Sequence, residues 1–177
     1  GTAAETRFTL AGNLAEFPFP NGKGGKLLLD TKAKAVTLAY ADGWPPIDAI
    51  DASVRIEGTR LTVDAAGGRV HGVDIGRTRV EISDLALDHP LLRVGGEATG
   101  PVAGFLRYVD GSPVAARTGR ITSSLEASGD GRLALKIELP LGRPDDIRFA
   151  GEYTLSDAQL RMAGAPALTK VNGKLSF

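Results

Sequence analysis

From Arg132 to Leu139 the chain reads Arg-Leu-Ala-Leu-Lys-Ile-Glu-Leu, aliphatic at every odd position and charged at three of the four even ones. A β-strand turns successive side chains to opposite faces, so this spacing gives one apolar face and one wetted face. The same period recurs along the chain. Val80 and Ile82 alternate with Arg79, Glu81 and Ser83; Ile147, Phe149 and Tyr153 with Arg148, Ala150 and Glu152; Val171, Leu175 and Phe177 with Asn172, Lys174 and Ser176. Turn signals punctuate these runs at Asn21-Gly22, Asp42-Gly43, Gly67-Gly68 and Asp130-Gly131. The last lies between Leu125–Ser128 and the 132–139 run and reads as a hairpin. With 23 glycines, 10 prolines and only 6% aromatic residues, the pattern predicts roughly ten to twelve short strands, mostly antiparallel neighbours. The chain reads as all-β.

One segment departs from the period. After Gly100-Pro101, the residues Val102, Phe105, Leu106 and Val109 follow the spacing of a single helix face. Thr99 or Gly100 is placed to cap a helix near 101–110, Pro101 suits its first turn, and Gly111 with Pro113 ends it. Such a helix covers an apolar end of the sheet; as a functional alternative it acts as a plug or gate over a groove.

An internal repeat organises the rest. Leu27, Val36 and Leu38 reappear as Phe149, Ala158 and Leu160, 122 residues later (158 − 36 = 122). Pro45, Ile47, Ile50, Val54 and Ile56 reappear as Pro166, Leu168, Val171, Leu175 and Phe177, 121 later (166 − 45 = 121). Residues 1–26 are then the end of a preceding unit or a linker, 27–148 one unit, and 149–177 the start of the next. Arrays of this kind bury each unit's open edge against its neighbour.

Composition removes several function classes. Lys+Arg and Asp+Glu both total 21, without the basic excess that neutralises phosphates, so nucleic acid is an unsuitable partner. The absence of cysteine excludes disulfides and thiolate metal sites. No apolar run approaches the ~18 residues of a membrane span. Residues 1–10 lack the features of a signal peptide, and the chain starts without methionine; it is expected to be an excised segment whose anchor lies elsewhere.

Catalytic motifs are not evident either. His71 and His89 stand near Asp74 and Asp88 without H-x-x-x-H or H-E-x-x-H spacing, so no metal is expected. There is no G-x-S-x-G; Ser112 reads as a helix-terminating turn. The pairs Asp48/Asp51 and Asp145/Asp146 read as turn residues rather than as a glycosidase pair. Residues 21–26, Asn-Gly-Lys-Gly-Gly-Lys, resemble a phosphate loop but precede a strand, so no helix N-terminus meets an anion. Trp44, before two prolines, reads as packing at a unit junction, with lipid contact as the alternative. The expectation is a protein that is not an enzyme and needs no cofactor.

Several segments resemble the YhdP family of the AsmA superfamily. Residues 43–52 (Gly-Trp-Pro-Pro-Ile-Asp-Ala-Ile-Asp-Ala) resemble that family's unit opener. Residues 68–73, 82–85, 96–101, 105–106 and 112–114 are similar to its following strands and strand-to-helix passage, and 129–141 to its Gly-x-(alternating)-Leu-Pro-Leu strand. Residues 155–160 and 171–177 look like the opener again, so the resemblance spans about 20–177. It implies a protein similar to AsmA and TamB: anchored in the inner membrane of Gram-negative bacteria, crossing the periplasm as a β-sheet body curled into an apolar trough, and implicated in moving phospholipids between inner and outer membranes. It implies no catalytic residues, and the family's anchoring helix has no match here.

If the strands form one strongly bent sheet, an open groove results, and the period-two positions Val54, Ile56, Leu61, Val63, Val80, Ile82, Leu133, Leu135, Ile137 and Phe149 line its interior. The partners would be phospholipid acyl chains, neighbouring repeat units of the same longer chain, and a membrane reached through segments outside this one. The alternative is a closed β-sandwich in which these residues form a sealed core, serving as a spacer or protein-interaction module of the envelope.

Overall fold

The computed structural model describes residues 1–19, 22–117, 121–162 and 164–177. Nine strands form in chain order: β1 Thr2–Gly12, β2 Gly25–Leu38, β3 Ile47–Glu57, β4 Arg60–Val70, β5 Val73–Ile82, β6 Leu91–Pro101, β7 Leu125–Pro140, β8 Arg148–Met162 and β9 Leu168–Ser176. They make one sheet in the order of the sequence, each strand antiparallel to the next. Between β6 and β7 lie two helices, α1 Val102–Asp110 and α2 Val114–Arg117. The sheet is open. β1 and β9 each pair on one side only, and the closed sandwich does not form among the described residues.

A single layer has little interior. Among the described residues the buried hydrophobics are Phe19, Val70, Val73, Ile82, Val102, Ala115 and Ala158. They sit mostly where a loop, turn or helix folds onto the sheet, not in a continuous central core. An all-antiparallel meander ordinarily packs one face on a second layer. Among the described residues no second layer seals it.

The strands are fewer and longer than the turn signals suggested, because glycine pairs fall inside strands. Asp130-Gly131 is not a hairpin: β7 runs unbroken through it, and Gly131 pairs with Gly100 on one side and Leu155 on the other. The glycines serve close approach. Gly129 takes φ 91° at a bulge where a Cβ would lie 2.7 Å from the Ala158 Cα, and a Cβ on Gly131 would collide with the Tyr153 hydroxyl. Gly67-Gly68 likewise lies inside β4, with Gly68 beneath Ile47 and Ile50. The turn that reverses the chain is His71-Gly72, both residues left-handed at φ 50° and 80°. Asp42-Gly43 does mark a bend, with the Trp44 N–H donating to the Ala41 carbonyl. Asn21 lies outside the described residues.

The helix forms over Val102–Asp110, but Pro101 itself is the N-cap, with no side-chain capping bond from Thr99 or Gly100. Ser112 stops it: its hydroxyl donates to the Val109 carbonyl at 2.9 Å and accepts from the Val114 N–H at 3.3 Å, leading into α2. Asp48 and Asp51 lie within β3 and not in a turn.

Both edges of the sheet expose unpaired backbone groups over 11 residues of β1 and 9 of β9. Edges of this length template pairing. The chain is expected to associate edge to edge in concentrated solution, seen as a concentration-dependent sedimentation coefficient. A monomer unchanged across concentration would count against it.

Candidate functional site

Register converts the alternating pattern into a surface. Directly opposed residues build a row across seven strands: Phe8, Leu29, Ile56, Leu61, Ile82, Leu92 and Leu139. A second row beside it runs Thr31, Val54, Val63, Val80, Val94, Ile137 and Phe149. Leu135 lies opposite Gly96 and Gly151 in a third row, and Leu133 opposite Ala98 and Tyr153 in a fourth. All ten residues singled out from their spacing therefore project from one face. Most are partly covered by their row neighbours, and Ile82 is buried, but Phe149 remains 56% exposed. Phe8, Leu29, Leu92, Val94 and Leu139 belong to the same surface and were not singled out; the alternation in residues 92–94 and 137–139 was the available signal.

Both rims of this face carry aromatic and apolar segments. At the rim formed by the β1–β2 connection, Phe19 is fully buried, its ring over Gly25, where a Cβ would meet the Phe19 Cε1 at 2.5 Å. At the opposite rim α1 buries Val102 and seats Gly104 on the β4–β5 turn. Phe105 then meets the Tyr153 ring edge-on at 5.0 Å between centroids. Trp44 bridges Tyr40 and Tyr108 at 5.9 Å each, and the two tyrosine hydroxyls lie 2.5 Å apart. Burial, then this hydrogen bond, holds the Tyr40 phenol well above its usual range. Trp44 is thus a packing residue that ties the β2–β3 connection to α1.

The other face is a lattice of ion pairs. Arg55 bridges Asp30 and Glu57, Arg79 bridges Asp64 and Glu81, and Arg93, Arg132 and Lys174 meet Glu138, Glu97 and Glu152. The Arg55 and Arg79 guanidiniums are raised above their usual range chiefly by hydrogen bonds to Glu57 and Glu81. A hollow of about 780 Å³ lies mainly on this side, lined by Arg7, Asp30, Lys32, Arg55, Asp64 and Arg79 among others. Its charges suit water rather than hydrocarbon. Exposed pairs of this kind contribute little to stability; their value is to give this face a strong preference for solvent.

A buried polar atom also lies on the apolar side. The Tyr153 hydroxyl is buried against Gly131 without a hydrogen-bond partner among the described residues, and burial pushes its pKa up to about 12. An unsatisfied hydroxyl costs free energy, so Tyr153→Phe should stabilise the chain by about 1 kcal/mol in urea unfolding. The wild type should also lose stability as pH rises from about 10, where the unfolded phenol releases its proton, through 12, where the folded one does. Tyr153→Phe should reduce that loss; an unchanged alkaline profile would count against the assignment.

Among the described residues no group of His, Asp and Glu is arranged to hold a metal ion, and no helix is long and apolar enough to cross a membrane. No solved structure matches the chain. The intermembrane phospholipid transporter YhdP of Escherichia coli (strain K12) is 24% identical over 182 residues, an alignment that takes in 100% of this chain and 14% of that protein. A family model described as YhdP protein matches residues 1–177. With that match running from one end of the sequence to the other, the chain belongs to the YhdP protein family.

Proposed function

We propose that the uncovered apolar face holds phospholipid acyl chains, as one segment of a longer inner-membrane-anchored protein that carries phospholipid across the periplasm between the two membranes. The observation that carries this reading is the pair of largely aliphatic rows crossing the sheet with no protein layer over them among the described residues. Six strand-to-strand steps of about 4.8 Å along each seven-strand row give a track of about 29 Å, longer than one extended acyl chain. Each methylene leaving water for that surface contributes ~0.8 kcal/mol before ordering costs. The head group stays at the rim, in solvent.

Such a surface binds without chemistry. The role is transport rather than catalysis and calls for no cofactor. A uniform row of Val, Ile and Leu lets a chain slide, because one position resembles the next. On this reading residues 27–148 are one unit of the array, 149–177 open the next, and 1–26 close the one before. Membrane contact falls to segments outside 1–177.

The test is extraction of lipid from protein purified out of bacterial membranes, followed by mass spectrometry. Phospholipid should co-purify at a fixed ratio and survive gel filtration. Protein that stays folded and lipid-free through the same steps would favour a spacer or protein-interaction role for the envelope.

A further inference from the structure

Strands β8 and β9 repeat β2 and β3 register for register. Asp30↔Arg55, Thr31↔Val54, Lys32↔Ser53 and Ala33↔Ala52 become Glu152↔Ser176, Tyr153↔Leu175, Thr154↔Lys174 and Leu155↔Gly173. Both ladders then slip at the same point. They resume at Val36↔Ile50 and Leu38↔Ile47 in one copy, and at Ala158↔Val171 and Leu160↔Leu168 in the other. Most of these side chains differ between the copies, while the backbone pairing is kept.

At the slip, each copy carries one left-handed residue on each strand. Ala35 and Ala49 take φ 49° and 53°; Asp157 and Lys170, their counterparts at offsets 122 and 121, take 47° and 55°. None is glycine, so each sits where a Cβ is disfavoured. One side-chain oxygen spans the slip in each case. The Ala35 N–H donates to Asp51 Oδ1 at 2.9 Å, and the Asp157 N–H donates to Asn172 Oδ1 at 3.0 Å. In the second copy Asn172 also donates from Nδ2 to the Lys170 carbonyl at 3.1 Å, tying together both sides of the bulge.

We infer that Asp51 and Asn172 are bend-locking residues that fix where each repeat of the sheet folds. A bulge takes a backbone N–H out of the ladder and increases local twist. An acceptor reaching across from the neighbouring strand satisfies that N–H and holds the bulge in one place. The shared element is a side-chain carbonyl-type oxygen at one position of the repeat, since one copy uses a carboxylate and the other an amide. Bending is thereby delegated to a polar backbone device, which leaves the apolar rows free to be smooth. This inference stands on pairing geometry alone and holds whether or not lipid occupies the face.

The chain contains no cysteine, so Lys26→Cys and Ala39→Cys place one spin-label pair on either side of the first bulge. In Asp51→Ala the label distance should lengthen and broaden. Amide hydrogen exchange at Ala35 should accelerate about tenfold, with Asp157 unaffected. Asn172→Ala should do the converse, which keeps the test open should Asp51→Ala not fold. Asp51→Asn should behave as wild type. An unchanged Ala35 exchange rate and label distance in Asp51→Ala would overturn the inference, and so would an Asp51→Asn variant as disturbed as Asp51→Ala.

Discussion

Replacing Val80 with aspartate is expected to strip most bound phospholipid from the protein while leaving the lipid-free chain folded. Val80 stands at the centre of its row, directly opposed by Val63 and Val94. Its sequence neighbours Arg79 and Glu81 point to the other face, where Arg79 meets Asp64 and Glu81, so the adjacent guanidinium stands on the opposite side of the sheet from the new carboxylate. Under a layer of acyl chains that carboxylate becomes an uncompensated charge out of water, at a cost of about 3–5 kcal/mol. At 1.4 kcal/mol per decade this lowers lipid affinity by about two to four orders of magnitude. On a wetted face the same substitution removes a cross-strand pair and some β-propensity, about 1 kcal/mol or less. Lipid recovered per protein, measured by mass spectrometry, separates the two cases. Arg79→Gln on the charged side is the control and should retain lipid. Equal lipid content in Val80→Asp and wild type would remove the acyl chains from this row.

The apolar face was legible because one variable, the parity of residue number within a strand, decides it. Leu133, Leu135 and Ile137 share a face by spacing alone, and antiparallel pairing then sets them against Ala98, Gly96 and Val94. Strand ends were less legible. Asp130-Gly131 carries the chemistry of a tight turn, and nothing local reveals that Tyr153 lies across Gly131 or that Gly129 meets the Ala158 backbone. Those are contacts between residues more than twenty apart, and a glycine that accommodates them looks like a glycine that turns. Asp51 was hidden in the same way. Read locally it is a turn aspartate; its partner, the Ala35 N–H, lies 16 residues earlier on the preceding strand. The α1 segment could be read because its apolar residues share one helical face, whereas its N-cap could not, since Pro101 both ends β6 and opens the helix.

Gly104 tests whether α1 is seated on the sheet or merely lies over it. Intrinsic propensity favours alanine over glycine in a helix by about 1 kcal/mol, so a loosely attached α1 should gain stability in Gly104→Ala. The seat argues for the opposite sign. A Cβ at this position would lie 2.8 Å from the His71 carbonyl oxygen and 2.8 Å from the Val73 Cγ2. The carbonyl cannot easily yield, because His71 is held left-handed in the β4–β5 turn and already accepts a hydrogen bond from Arg107 Nη2 at 2.8 Å. The helix must lift instead, loosening Val102, the Phe105–Tyr153 contact and the Tyr108–Trp44 contact. Overpacking of this kind costs about 1–3 kcal/mol, and here the obstacle is backbone. Gly104→Ala is therefore expected to lose about 1–2 kcal/mol despite its better propensity, and Gly104→Val, bulkier and β-branched, about 3 kcal/mol or more. The urea midpoint measures the loss. Trp44, the single tryptophan, reports the lifting directly, since its fluorescence should change in the folded baseline of both variants. A gain in stability in Gly104→Ala with an unchanged Trp44 signal would show that α1 is not clamped to the rim of the apolar face, and would leave that rim free to open.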